Sequence, residues 1–384
     1  MTKLTRRERL MRIFQNKEVD RPALKLWGAV PKRRGYDPVY SPAMARSGDY
    51  APVTELALAT SDIFGQMGAE FNPYYGRLEH ENIIEYDEPC DIPNWRLVRS
   101  VYKTPEGDLT SLRRVSTIGE PGYVMEYLVK GPEDIKKLIS TPYEPYPYNH
   151  KEYSDIDAAV GDSGITILGL PHPASQLATA CGSETLALLT MDEPGLMQEA
   201  LDIYVKRIRG LLEDIISQGI KAVYGVIGPE LITPPLMNME GFMRYVAEPN
   251  KKIYERIHES GGYVWMHCHG KVAKLLDTFI DIGVDVLNPL EPPKNGDVDM
   301  AEIAAKYGGI IGLEGNIEIQ DLLLSTPEHV RALMEECVAA AAPTGRFILC
   351  PSAGYEEYVN PTKHYIDNLM LYLTYGLELV EKYL

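Results

Sequence analysis

The chain has 384 residues and carries 38 Lys and Arg against 55 Asp and Glu, a formal net charge of −17. That excess repels phosphate and argues against nucleic acid or an anionic membrane surface as the main partner. Five scattered cysteines without a CxxC pair point to a reducing compartment. Nowhere do eighteen apolar residues run together, and no apolar segment follows the basic start, so the expectation is a soluble cytoplasmic protein that spans no membrane.

Residues 5 to 16 have helical spacing, with Leu10, Ile13 and Phe14 on one side. Val19-Asp20-Arg21-Pro22 ends that helix, because proline disfavours helix in the residue before it. Ala23 to Trp27 reads as a short strand. Pro31-Lys32-Arg33-Arg34-Gly35-Tyr36 is a basic island in an acidic chain, either a solvated loop or an anion contact. A helix is expected over 52 to 66, with Asp62 near its end. From 76 to 150 the texture changes: Leu97 to Tyr102 and Thr110 to Val115 flank the turn Thr104-Pro105-Glu106-Gly107-Asp108, a hairpin pattern, and Tyr143 to Tyr153 reads as a Pro- and Tyr-rich linker. This stretch is taken as a β-rich insertion in a single domain spanning 1 to 384.

After residue 160 the pattern becomes regular. Apolar runs at Ile165 to Leu170, Lys221 to Ile227, Tyr263 to His267, Val284 to Asn288, Gly309 to Leu313 and Arg346 to Cys350 alternate with amphipathic segments at 193 to 218, 239 to 260, 271 to 282, 299 to 307 and 328 to 341. Alternating strand and helix imply a parallel sheet covered by helices. With the early strand the count approaches that of a (β/α)₈ TIM barrel, an α/β fold, with a doubly wound sheet as the alternative. A barrel places its active residues after the C-terminal ends of its strands. The exits here are Pro171-His172-Pro173, Gly228-Pro229-Glu230, His267-Cys268-His269-Gly270, Pro289-Leu290-Glu291, Glu314-Gly315-Asn316 and Cys350-Pro351-Ser352-Ala353-Gly354.

In a strand, side chains two apart share a face, so His267 and His269 converge while Cys268 points away. Two imidazoles on one face form a possible zinc clamp; a catalytic zinc takes about three protein ligands and keeps an open position. Glu230, Glu291, Glu314 and Cys350 are the candidates for the third. Each has a plainer reading, Glu230 as a carboxylate on loop amides and Cys350 as a small buried hydrophobe. Asn316 is positioned to orient a polar substrate group or to serve a turn. His172, Glu291 and Tyr355 are taken as substrate contacts.

The combination His267-Cys268-His269-Gly270, Asp281-Ile282-Gly283-Val284-Asp285, Leu313-Glu314-Gly315-Asn316-Ile317 and Thr326-Pro327-Glu328-His329-Val330, with Arg6-Arg7-Glu8-Arg9 and Val19-Asp20-Arg21-Pro22, resembles the uroporphyrinogen decarboxylase superfamily. The resemblance implies a (β/α)₈ barrel and one of two chemistries. True decarboxylases carry an Arg-Gln-Ala-Gly-Arg loop and a late Gly-His-Gly, both missing here; Asp62 in Ser-Asp-Ile is similar to their catalytic aspartate. Cobamide-dependent methyltransferases resemble this chain through a zinc site written His-X-Cys-Gly with a distant Cys, where His267 takes the first position and His269 stands in place of the Cys.

That likeness implies a methyltransferase using zinc and a cobalamin carried by a separate corrinoid protein, acting on a small methyl donor or acceptor, as a possible homodimer. The alternatives are a decarboxylase of a smaller or tetrapyrrole acid using Asp62 and the Lys32 to Arg34 island, and a binding protein that carries a corrinoid or tetrapyrrole without turnover.

Overall fold

The computed structural model describes residues 3–28, 48–118, 120–354 and 360–384. Eight parallel strands form one sheet: β1 (Ala23–Leu24) and β2 (Ile63–Gly68), then, after an antiparallel insertion of β3 (Ile83–Glu88), β4 (Trp95–Tyr102), β5 (Leu109–Ser116) and β6 (Tyr123–Glu126), the strands β7 (Gly164–Gly169), β8 (Val223–Ile227), β9 (Tyr263–His267), β10 (Val286–Asn288), β11 (Gly312–Ile317) and β12 (Phe347–Pro351). The order in the large sheet is β1-β12-β11-β10-β9-β8-β7-β2. Its two end strands meet through Asp62, whose backbone N–H donates to Leu24 O at 2.6 Å and whose carboxylate accepts from Leu24 N at 2.9 Å. That contact closes the (β/α)₈ barrel.

Strand alternation sorts the core into two layers. One set of residues, among them Val264, Met266, Leu287, Leu313, Phe347 and Leu349, faces the surrounding helices. The opposite phase, including Phe64, Ile165, Ile167, Val223, Trp265, Val286, Ile348 and Cys350, fills the barrel interior. Leu10, Ile13 and Phe14 of the helix Arg6–Phe14 join this inner cluster and plug the barrel from its N-terminal end. Thr5 starts that helix with a capping box to Glu8, which satisfies two otherwise orphaned N–H groups.

The expected hairpin is present as β4 and β5, paired antiparallel from Trp95–Ser116 to Tyr102–Leu109, within a four-stranded sheet that lies against the barrel. Tyr127, just beyond β6, packs where Gly182 interrupts the helix Pro173–Asp192 at φ 70°; a Cβ there would meet the Tyr127 ring at 2.5 Å.

Three expectations change. The helix expected over 52 to 66 ends at Thr60, because Ser61 is extended and Asp62 already bonds to β1; Ile63–Gly68 is strand. The expected strand Gly309 to Leu313 starts three residues later, after a turn in which Ile310 N bonds back to Tyr307 O. The stretch read as a linker, Tyr143 to Tyr153, runs into a helix, His150–Val160, capped by the Asn149 side chain. Among the described residues no helix is long and apolar enough to cross a membrane.

Candidate active site at the barrel mouth

The inward phase that builds the apolar floor turns polar toward the C-terminal ends of the strands. Lys25 follows β1, His267 ends β9, Asn288 ends β10, and Glu314 lies within β11. Parallel register sets Asn288 beside His267, and Glu314 one step beyond the Leu287–Leu313 pair. All four side chains meet in one buried chain of hydrogen bonds.

Glu314, fully buried, is its anchor. Lys25 Nζ donates to Oε1 at 2.5 Å, Trp265 Nε1 to Oε2 at 2.7 Å, and Asn288 Nδ2 to Oε1 at 3.0 Å. The Lys25 ammonium is boxed by aromatic faces, 4.0 Å from the Trp27 centroid, 4.1 Å from Phe64 and 4.8 Å from Trp265. Cation–π attraction and the ion pair together offset its desolvation. Asn288 Oδ1 lies 2.6 Å from His267 Nδ1. His267 stacks on Trp265 and meets Trp27 edge-on.

His267 and His269 come together as the alternation predicts, with ring centroids 4.6 Å apart at nearly right angles, while Cys268 is buried in the outer layer. His269 Nδ1 bonds to Glu291 Oε1 at 2.8 Å, and Glu291 Oε2 accepts from Gly270 N at 2.7 Å. Both rings are thus engaged at Nδ1, and neither Nε2 has a protein partner among the described residues. The two rings differ in charge preference. Burial, then the neighbouring His269 charge, pulls His267 down to about 3 despite its Asn288 bond. Burial also opposes protonation of His269, but the Glu291 hydrogen bond and the carboxylates of Glu291, Glu230 and Glu318 outweigh it and raise its pKa.

Two carboxylates beside this pair keep an unsatisfied atom. Glu230, in the turn Pro229–Ile232 after β8, has a buried Oε2 with no hydrogen-bond partner. Glu318, just after β11, accepts from Asn295 Nδ2 at 3.1 Å and Ser352 Oγ at 3.2 Å through Oε2, while its buried Oε1 is unpartnered. Burial, reinforced by the Glu291 charge, raises the Glu318 pKa in spite of those two bonds. Asn316, half-buried on β11, has no side-chain hydrogen bond among the described residues.

The remaining sequence candidates sit elsewhere or are occupied. Cys350 lies in the inner cluster with Sγ 3.2 Å from Pro351 O, and burial holds its thiol protonated, so it is floor rather than ligand. Glu314 spends both oxygens on Lys25, Trp265 and Asn288, and Glu291 spends its pair on His269 and Gly270; they orient rather than bind. His172 is buried at the start of the helix Pro173–Asp192, where Nδ1 accepts from Ser175 N and Nε2 faces the Asn250 amide at 2.6 Å, which makes it a cap and not a substrate contact. Asp62 is at the opposite end of the barrel, held by Arg9 at 2.6 Å, by Arg21 at 3.1 Å and by Leu24 N. Tyr355 and the Lys32 to Arg34 island lie outside the described residues.

Sequence reasoning missed Lys25, Asn288, Trp265 and Glu318. Lys25 and Asn288 were visible as polar residues at the inward phase of apolar runs, a signal weaker than the paired histidines.

The donor types fit a divalent ion such as zinc: two imidazole lone pairs with outer partners at Nδ1 and a carboxylate oxygen left uncompensated. Among the described residues, however, no three His, Cys, Asp or Glu side chains are gathered into one metal-binding group.

A family model described as uroporphyrinogen decarboxylase (URO-D) matches residues 118–365, well over half of the chain and including every mouth residue from Glu230 to Glu318. Among solved structures, a methyltransferase from Methanosarcina mazei superposes with a TM-score of 0.59 at 15% identity, covering 97% of this chain and 99% of its own. At that identity the likeness concerns the fold. Mannanase BCman from Bacillus subtilis covers 93% of this chain and 88% of its own at 11% identity, with a TM-score of 0.41, too distant to carry an argument. No curated protein matches the chain significantly.

Proposed function

The chain belongs to the uroporphyrinogen decarboxylase family, and on that premise we propose that it is a zinc-dependent methyltransferase, moving a methyl group between a small methylated substrate and the cobalt of a separate corrinoid protein. The observation that carries the reading is the imidazole pair at the barrel mouth, each ring engaged at Nδ1 and each with Nε2 unpartnered. Supporting it, the methyltransferase from Methanosarcina mazei has the same fold over nearly the full length of both chains. The decarboxylase reading through Asp62 loses its support, since two arginines and a backbone amide occupy that carboxylate at the far end of the barrel.

In this reading His267, His269 and Glu230 would hold the zinc. When bound, zinc supplies Lewis acidity, favouring the deprotonated form of a thiol or polarising an ether oxygen. The rest falls to the chain's own residues. Asn288 and Glu291 fix the two ring planes, Trp27 and Trp265 shield His267 from water, and the unbonded Asn316 amide orients a polar group of the substrate. Cobalamin arrives on the partner protein.

The test is the metal content of protein purified without chelator, beside a His267→Ala/His269→Ala variant, followed by methyl transfer from a panel of methylated compounds to a methyl-accepting corrinoid. The expected result is about one zinc per chain, lost together with transfer in the variant. Wild-type protein that is metal-free and transfers methyl groups as well as its double variant would overturn the proposal.

A further inference from the structure

The two mouth histidines differ in what sits behind them. Glu291 backs His269 directly, and a carboxylate facing Nδ1 calls for a proton there. Behind His267 is a neutral amide, Asn288, which by itself can present either its oxygen or its NH₂ group to the ring. Its orientation therefore decides the tautomer, and the orientation is set one step further back.

Glu314 carries a buried lysine 2.5 Å from Oε1 and an indole N–H 2.7 Å from Oε2, both donors that select the ionised carboxylate. An ionised carboxylate only accepts, so the end of Asn288 that lies 3.0 Å from it must be the NH₂ group. Asn288 Oδ1 is then turned to His267 at 2.6 Å and requires a donor, which makes Nδ1 the protonated ring nitrogen. The Asn288 backbone is fixed by Cys268 N donating to its carbonyl at 2.7 Å, so the residue cannot swing away. Lys25, closed in by Trp27, Phe64 and Trp265, makes its salt bridge to Glu314 and to no other carboxylate among the described residues.

We infer that Lys25, Glu314 and Asn288 are positioning residues: they lock His267 in its Nδ1–H tautomer and thereby commit its Nε2 lone pair to the barrel mouth. The inference rests on the proposed function only for the use made of that lone pair; the tautomer itself exists in the metal-free protein.

The experiment is long-range ¹H–¹⁵N correlation on the full-length, chelator-treated protein labelled at histidine, with the His267 resonances identified by their loss in His267→Gln. Wild-type His267 is expected as Nδ1–H by about tenfold or more. Asn288→Leu removes the acceptor and moves the proton to Nε2. Lys25→Met/Glu314→Gln frees the Asn288 amide to turn and gives a mixture; because it removes both charges together it leaves no buried ion unpaired, and it carries the test should Asn288→Leu fail to fold. Zinc affinity is expected to fall about 10- to 100-fold in either variant. A wild-type Nε2–H tautomer, or an Nδ1–H tautomer that persists in the folded variants, overturns the inference. If wild type binds no zinc while the tautomer responds as described, the proposed function fails and the tautomer lock stands.

Discussion

The barrel carries a buried charge network at each end, and the two are finished differently. At the N-terminal end Arg9 bonds to both oxygens of Asp20 at 2.8 and 2.9 Å and to Asp62 at 2.6 Å, while Arg21 and Leu24 N complete Asp62. Every carboxylate oxygen there has a partner, and the network stitches the first helix, β1 and β2 together. At the C-terminal end the Lys25–Glu314–Asn288 chain is equally buried and equally connected, yet it ends on an imidazole whose outer nitrogen is unspent. Near the pair, Glu230 Oε2 and Glu318 Oε1 are buried without partners, and the charges of both carboxylates act on His269. Unsatisfied buried polar atoms cost stability. The unspent atoms at the open end are the ones the proposed function would use.

That contrast breaks most visibly at the closed end. Asp62→Ala leaves Arg9 and Arg21 facing each other without their shared anion, and removing one partner of a buried pair costs about 3–5 kcal/mol. A urea-unfolding midpoint lowered accordingly is expected, with the metal stoichiometry of the surviving folded protein unchanged. At the mouth the order reverses. His269→Asn keeps an N–H donor for Glu291 but lacks the outer lone pair, so stability is expected to change by about 1 kcal/mol or less while the zinc content and methyl transfer of the proposed function are expected to be lost. Cys350→Ala deletes one buried sulfur from the floor, beside Glu314, and is expected to cost about 1 kcal/mol of unfolding free energy.

Much of this was legible in the sequence where the signal is local. The His267/His269 pair follows from a period of two, and the barrel from strands alternating with amphipathic helices. Asp62 was placed at a helix end because no Gly or Pro separates the helix Ala51–Thr60 from the strand behind it, and the break at Ser61 shows only in the backbone. The helix Pro173–Asp192 is hard to read because its exposed face also carries apolar residues, Leu188 and Met191, so no polar stripe sets off the buried one. The anchor of the mouth was out of reach for another reason. Lys25 and Glu314 are 289 residues apart, and nothing short of the closed barrel says that they touch.

The buried histidine of the scaffold adds a pH dependence that the mouth does not control. Burial holds His172 down to about 3, against an ordinary 6.5. The unfolded chain therefore binds a proton that the folded chain refuses, so stability is whole above about 6.5 and falls as the pH drops from there toward 3. Denaturation midpoints measured between pH 7 and pH 4 are expected to decline, and less steeply in His172→Gln. An identical slope in both proteins would mean that His172 is not the group being titrated.

The smallest effect tests the open end from the opposite direction. The Glu318 pKa is raised, chiefly by burial and next by the Glu291 charge, although Asn295 and Ser352 pull it down. A carboxyl that binds its proton more tightly folded than unfolded stabilises the fold at low pH and loses that contribution as the pH rises through its folded pKa. Near neutral pH its ionised form is a cost. Glu318→Gln keeps one side-chain oxygen for the Asn295 and Ser352 donors and removes the charge, so a slight gain in stability at pH 7 that vanishes below pH 4 is expected from paired thermal melts. At the closed end no such gain is available: each oxygen of Asp20 and Asp62 already has its donor, and neutralising either can only subtract. A mouth carboxylate whose removal stabilises the fold is one kept for something other than folding.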